Sequence, residues 1–143
     1  MKTIIKKLMT GVCLLGIILT MVSCNDELDI QQVYPFSVTT LPVQSRIQKG
    51  ETAEIRFQIH REGYYKETKY FLRYFQPDGK GRLWMTDGTT FAPNDLYPLK
   101  NDKFYIYYTS ASTDQQKIDV YIEDSHGQLV QLTFSFNNER EEE

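Results

Sequence analysis

Apolar and polar residues alternate most regularly near the end of the chain, over residues 117–136. Ile118, Val120 and Ile122 alternate with Asp119, Tyr121 and Glu123. After a break, Val130, Leu132, Phe134 and Phe136 alternate with Gln131, Thr133 and Ser135. A period of two is the signature of strands with one buried and one wet face. The break, Ser125-His126-Gly127, is turn chemistry, with Gly127 free to take positive φ. The pattern predicts a long antiparallel hairpin, which needs a second sheet to cover its apolar face.

The same period recurs upstream. Residues 33–43 form a first strand, bracketed by Pro35 and Pro42. Proline cannot donate to a ladder, so this strand belongs at an edge. In residues 51–60, Ala53, Ile55, Phe57 and Ile59 face one way and Glu54, Arg56, Gln58 and His60 the other. Residues 69–76 are strand-like but nearly all aromatic, which blurs the period. Either face could be inward, and a central position is expected. Pro77-Asp78-Gly79-Lys80-Gly81 is a turn. Residues 82–86 form a short strand holding Trp84, the single tryptophan. Residues 89–102, with Pro93 and Pro98, read as a loop crossing between sheets. A strand at 104–109 sets Phe104, Ile106 and Tyr108 against Tyr105 and Tyr107, and a polar loop at 110–115 leads to the closing hairpin.

About seven short strands between turn signals, with no helical period after the leader, predict an all-β fold. The expected form is an Ig-like or fibronectin-like antiparallel β-sandwich, with a small closed barrel as the alternative. The 143 residues suffice for one domain, and Tyr 10 with Phe 8 suits sheets. The domain is expected over 33–137, followed by an acidic tail at 138–143.

The first residues carry an address. Lys2, Lys6 and Lys7 precede an uncharged apolar run over 8–22, then Ser23 and Cys24. A basic segment, a short apolar segment and a small residue before a cut describe an export signal. The run is short for a membrane-spanning helix, which needs about 20 apolar residues. Met21-Val22-Ser23-Cys24 resembles a bacterial lipoprotein box, with Met where Leu is usual. The expectation is a lipoprotein signal peptide over 1–23, lipidation at Cys24 and a polar tether over 24–32. Acyl chains anchor through about 0.8 kcal/mol per buried CH₂. The acidic Asn25-Asp26-Glu27-Leu28-Asp29 resembles the surface-export signals of Bacteroides lipoproteins. Outer-membrane attachment is expected, facing either the periplasm or the surface.

Charge and cysteines narrow the chemistry. The formal net charge is −3, from 16 basic and 19 acidic residues. Removing the leader with its three lysines leaves 16 − 3 = 13 basic residues, a net charge of 13 − 19 = −6. Phosphate neutralisation supplies most non-specific DNA affinity, so direct double-stranded DNA binding is not expected. Cys13 and Cys24 are the two cysteines, and both precede the domain. The domain therefore has no disulfide and no cysteine zinc site.

No residue set specifies a reaction. Ser125 and His126 are neighbours on a tight turn, where His126 is badly placed to take the Ser125 proton. His60 and His126 would need carboxylates such as Glu62 or Asp124 to hold a metal, and no ligand spacing supports that. Asp119 and Glu123 share a strand face at a glycosidase-like separation, as residues of any wet strand face do. No catalytic residue, metal or cofactor is expected. The basic stretch 61–82 interleaves Lys66, Lys69, Arg73 and Lys80 with Tyr64, Tyr65, Tyr70 and Tyr74, and Trp84 follows. Such a surface suits a protein interface, where Tyr, Trp and Arg concentrate, or stacking on sugars or single-stranded nucleic acid. Tyr64, Tyr65, Arg73 and Trp84 are the candidate binding residues.

Several segments together resemble the TraQ family of Bacteroides-type conjugative transposons. They are the lipobox-like Cys24, Lys49-Gly50-Glu51 with Ile55-Arg56-Phe57, Gly63-Tyr64-Tyr65, Tyr70-Phe71-Leu72-Arg73-Tyr74-Phe75-Gln76, Asp78-Gly79-Lys80-Gly81, Pro93-Asn94-Asp95, Tyr107-Tyr108-Thr109-Ser110 and Asp114-Gln115-Gln116. The resemblance covers nearly the whole mature chain. It implies a process, conjugal DNA transfer, and brings no catalytic residues, because the family's biochemical role is unknown.

The expectation is a non-enzymatic, lipid-anchored envelope protein of the conjugal transfer apparatus that binds other envelope or conjugation proteins. The alternative is a surface β-sandwich lipoprotein that binds glycan or peptidoglycan. A hydrolase using Asp119 and Glu123 comes third.

Overall fold

The computed structural model describes residues 33–138. The expected signal peptide, Cys24, the whole tether and all of the tail but Asn138 lie outside the described residues. Nine strands follow in order: β1 Phe36–Thr40, β2 Arg46–Ile47, β3 Thr52–Arg61, β4 Tyr70–Asp78, β5 Gly81–Trp84, β6 Tyr97–Leu99, β7 Lys103–Ser110, β8 Gln116–Asp124 and β9 Leu129–Asn138. No helix occurs among the described residues.

The strands make two sheets, a four-stranded one ordered β1-β3-β7-β5 and a five-stranded one ordered β2-β9-β8-β4-β6. The first sheet matches the ABED order of Ig constant domains, and β9-β8-β4 matches GFC. Aromatic contacts join the layers. Phe57 of β3 lies edge-on to Phe134 of β9 at 5.8 Å, and Tyr108 of β7 stacks on Phe136 of β9 at 5.4 Å. The closed-barrel alternative is excluded.

The alternating positions became the core. Ile55, Phe57 and Ile59 of β3 are buried, as are Ile106 and Tyr108 of β7 and Ile118, Val120 and Ile122 of β8. Burying each such side chain stabilises by about 1.5–3 kcal/mol, as an upper bound. The aromatic strand β4 lies between β8 and β6, and it buries Tyr70, Leu72 and Tyr74. Its other face carries Phe71, Arg73 and Phe75.

Three features depart from the expectation. The 89–102 segment contains β6, whose Tyr97–Leu99 pairs antiparallel with β4 around Pro98. Proline is tolerated there because β6 is an edge. The two-residue β2, too short to show a period, pairs parallel with β9, so that sheet is mixed. It still contributes Ile47, which is fully buried. Finally, β4 runs through Pro77 to Asp78, and the register shifts between Phe75 and Asp78 to admit it.

The closing turn is built by Asp124. Its buried carboxylate accepts from the backbone N–H of His126 at 3.0 Å and of Gln128 at 2.8 Å. Gly127 takes φ 86°, a left-handed conformation that favours glycine.

Candidate interaction surface

Alternation sends every second residue of β3, β7 and β5 to the outer face of the four-stranded sheet. Register then decides which of them meet. Tyr107 of β7 lies between Glu54 of β3 and Trp84 of β5, and Tyr105 of β7 lies opposite Arg56 of β3. The result is a row of rings and charges across three strands. Trp84 stacks on Tyr107 with ring centres 4.7 Å apart. The Trp84 indole N–H donates to Thr109 Oγ1 at 3.0 Å, and the Arg82 guanidinium lies 5.5 Å over the indole. Arg56 sits 5.7 Å over Tyr105, which is 49% exposed. A hollow of about 200 Å³ adjoins Tyr105 and Arg56 beyond the end of β1.

Glu54 ties this row together. It accepts hydrogen bonds from Arg56 and from the Tyr107 hydroxyl, the latter at 3.2 Å. The Arg56 bond holds the Glu54 carboxyl below its ordinary range, with the Tyr107 bond adding to it. The Tyr107 hydroxyl is pushed up, first by desolvation and then by Glu54. With Glu54 neutralised by Arg56, Arg82 remains as a cation beside the half-buried Trp84 and Tyr107 rings. Trp, Tyr and Arg, grouped here on one sheet face, are the residues that dominate protein interfaces.

The sequence candidates are dispersed. Trp84 lies in this row. Arg73 lies on the outer face of the other sheet, where its guanidinium reaches Glu123 at 3.2 Å and Asn94 at 3.4 Å. Its buried Nε has no hydrogen-bond partner. Tyr64 and Tyr65 lie in the connection from β3 to β4. Tyr64 is 74% exposed, with Arg61 at 5.5 Å over its ring. Tyr65 donates to Glu67 at 3.4 Å and lies 6.2 Å from the His126 ring. One basic-aromatic stretch in sequence is therefore divided among two sheets and a loop, and Tyr70 and Tyr74 go to the core.

Sequence reasoning missed Glu54, Arg56, Tyr105 and Tyr107 as members of a surface. Their outward alternation was visible in each strand, but their adjacency was not.

The catalytic candidates have other partners. Ser125 Oγ accepts the Lys69 backbone N–H at 3.1 Å, and His126 Nε2 lies 3.2 Å from Thr68 Oγ1, so both secure the β3–β4 connection. Asp119 accepts from Thr133 at 2.6 Å, and Glu123 is held by Arg73. His60 bonds Thr39 at 2.7 Å on the outer face of the first sheet. Among the described residues, no three of His, Cys, Asp and Glu gather to hold a metal.

Known proteins resemble the chain over most of its length. A family model described as TraQ conjugal transfer protein matches residues 7–139. A solution structure of a lipoprotein from Bacteroides thetaiotaomicron is 65% identical, with a TM-score of 0.68 over 82% of this chain and 90% of that one. A crystal structure of a conjugative transposon lipoprotein from Bacteroides eggerthii is 44% identical, with a TM-score of 0.69 over 74% of this chain and 100% of that one. A conjugate transposon protein from Bacteroides vulgatus is 54% identical, with a TM-score of 0.66 over 78% and 91%. No curated protein matches significantly.

Proposed function

Because the chain belongs to the TraQ conjugal transfer protein family, we propose that it is a non-enzymatic, lipid-anchored envelope component of the conjugal transfer apparatus. It is a protein-binding module tethered through Cys24 to the outer membrane. The lipobox-like segment supports the anchor, as do relatives described as lipoproteins. The observation that carries the binding role is the stacked Trp84–Tyr107 pair flanked by Arg82, Arg56 and Tyr105 on an open sheet face. Hot-spot truncations at such positions cost about 2 kcal/mol or more in affinity. Tyr64, Tyr65 and Arg73 lie off this row.

Conjugation frequency tests this reading in a donor deleted for the gene and then complemented. Wild type restores transfer. Cys24→Ala, and the double change Trp84→Ala with Tyr105→Ala, leave it low although both proteins accumulate and melt normally. Unchanged transfer in the deleted donor would remove the protein from the apparatus.

A second reading, glycan or peptidoglycan binding, draws on the hollow beside the exposed Tyr105, which Thr39, Gln58 and Lys103 also line. Quenching or enhancement of Trp84 fluorescence by cell-wall fragments would favour it, and a flat titration with each of them would end it.

A further inference from the structure

The longest unpaired strand edge among the described residues belongs to β9. On one side β9 pairs with β8 along its length, from Glu123↔Leu129 to Gln116↔Phe136, without a bulge. On the other side its sole partner among the described residues is β2, at Asn137 and Asn138. Residues 129–136 therefore have an open side. Backbone direction alternates along a strand. The Asp124 N–H donates to the Gln128 carbonyl on the β8 side, and the Asn137 N–H donates to the Ser45 carbonyl on the other. Even-numbered residues of β9 thus face β8. The N–H and C=O groups of Gln131, Thr133 and Ser135 face the open side.

Other edges are guarded and this one is not. The five residues of β1 lie between Pro35 and Pro42, β5 has four residues, and β6 contains Pro98. Short strands, prolines, charges and bulges are the usual protection against added strands. Residues 129–136 of β9, Leu-Val-Gln-Leu-Thr-Phe-Ser-Phe, include no charge and no proline. Beside the edge runs a cleft of about 360 Å³, between residues 40–45 and 133–136. Its walls include Leu41, Val43, Phe134 and Phe136 and carry no charged side chain. The inward residues Leu132 and Phe134 are only partly buried, as expected where a sandwich lacks one strand.

We propose that the open edge of β9 takes an added strand from another protein, in the manner of β-augmentation. The occupant is a single extended segment, uncharged, with apolar side chains at alternate positions. Its backbone completes the ladder at Gln131, Thr133 and Ser135. Its apolar face covers Leu132 and Phe134, and its other face stays in water. A charged segment would be desolvated here without a counter-charge. A second copy of this chain fits less well, because its own 40–45 connection lies beside the same edge. This site is separate from the Trp84 row on the first sheet.

Amide hydrogen exchange on the full chain in detergent micelles tests the proposal. The probe is a capped ten-residue peptide of alternating Val and Thr, with a control in which Asp replaces Val. Without peptide, the amides of Gln131, Thr133 and Ser135 should exchange about 100-fold faster than those of Leu132 and Phe134. The Val/Thr peptide should slow them at least about 10-fold, and the Asp peptide should not. Gln131→Pro with Ser135→Pro removes two donors that β8 does not use, and should abolish the effect without moving the melting curve. Trp84→Ala should leave the protection intact. Protection before peptide is added, protection that rises with protein concentration alongside dimer formation, or no response to the uncharged peptide would each overturn the proposal.

Discussion

At the scale of single residues, polar atoms inside a β-sandwich are the least forgiving positions. Gln116 is fully buried. Its Oε1 accepts from the Tyr108 hydroxyl at 2.5 Å, and its Nε2 donates to Ser110 Oγ at 2.7 Å. Gln116→Leu keeps the volume but removes the acceptor of the buried Tyr108 hydroxyl, which still accepts from Gln76, while Ser110 Oγ keeps its bond to the Ser112 carbonyl. The change should cost about 1–3 kcal/mol in denaturant unfolding. Adding Tyr108→Phe should recover part of that loss in a double-mutant cycle. Glu54 makes the complementary case in solvent. Its folded pKa lies below the ordinary value of 4.5, chiefly through the Arg56 bond. A depressed carboxyl contributes above its unfolded value, and the contribution fades as pH falls through the folded one. The Tyr107 ring resonances should therefore shift below pH 4.5. Glu54→Gln should leave them flat, and an unchanged titration in that variant would refute the assignment.

At the scale of elements, β3 shows how a legible pattern becomes a measurable energy. Phe57 stacks on Phe104 at 4.9 Å and meets Phe134 edge-on across the two sheets. Phe57→Ala should cost about 3–5 kcal/mol, and an unmoved thermal melt would contradict the observed packing. Strands β3, β7, β8 and β9, whose apolar residues alternate cleanly, were readable from the chain alone. β2 and β6 were not. Two or three residues hold no period, and β6 is interrupted by proline. Their existence depends on an edge elsewhere that accepts them. The aromatic β4 failed for another reason, since both of its faces are apolar enough to be buried. Its register with β8, which sets Leu72 opposite the buried Ile122 and Tyr74 opposite the buried Val120, puts Tyr70, Leu72 and Tyr74 on the inward face.

At the scale of the whole molecule, charge sets what the domain can approach. Residues 24–143 carry 13 basic and 19 acidic residues, and a chain of that sign repels a polyanion overall. It should not retard duplex DNA in a gel at about 0.15 M salt. A shift that weakens steeply with added salt would contradict this and reveal a local basic patch. The sequence by itself determined the all-β class, the turn at Gly127, the inward residues of the cleanly alternating strands and the resemblance to a conjugal transfer family. These follow from local alternation, turn chemistry and motif, which neighbouring residues carry among themselves. Tertiary structure alone decided that Trp84 meets Tyr107, that Arg73 lies on the opposite sheet, and that β9 keeps an open edge. Those depend on strand order and register, which are fixed by contacts between residues far apart in the chain.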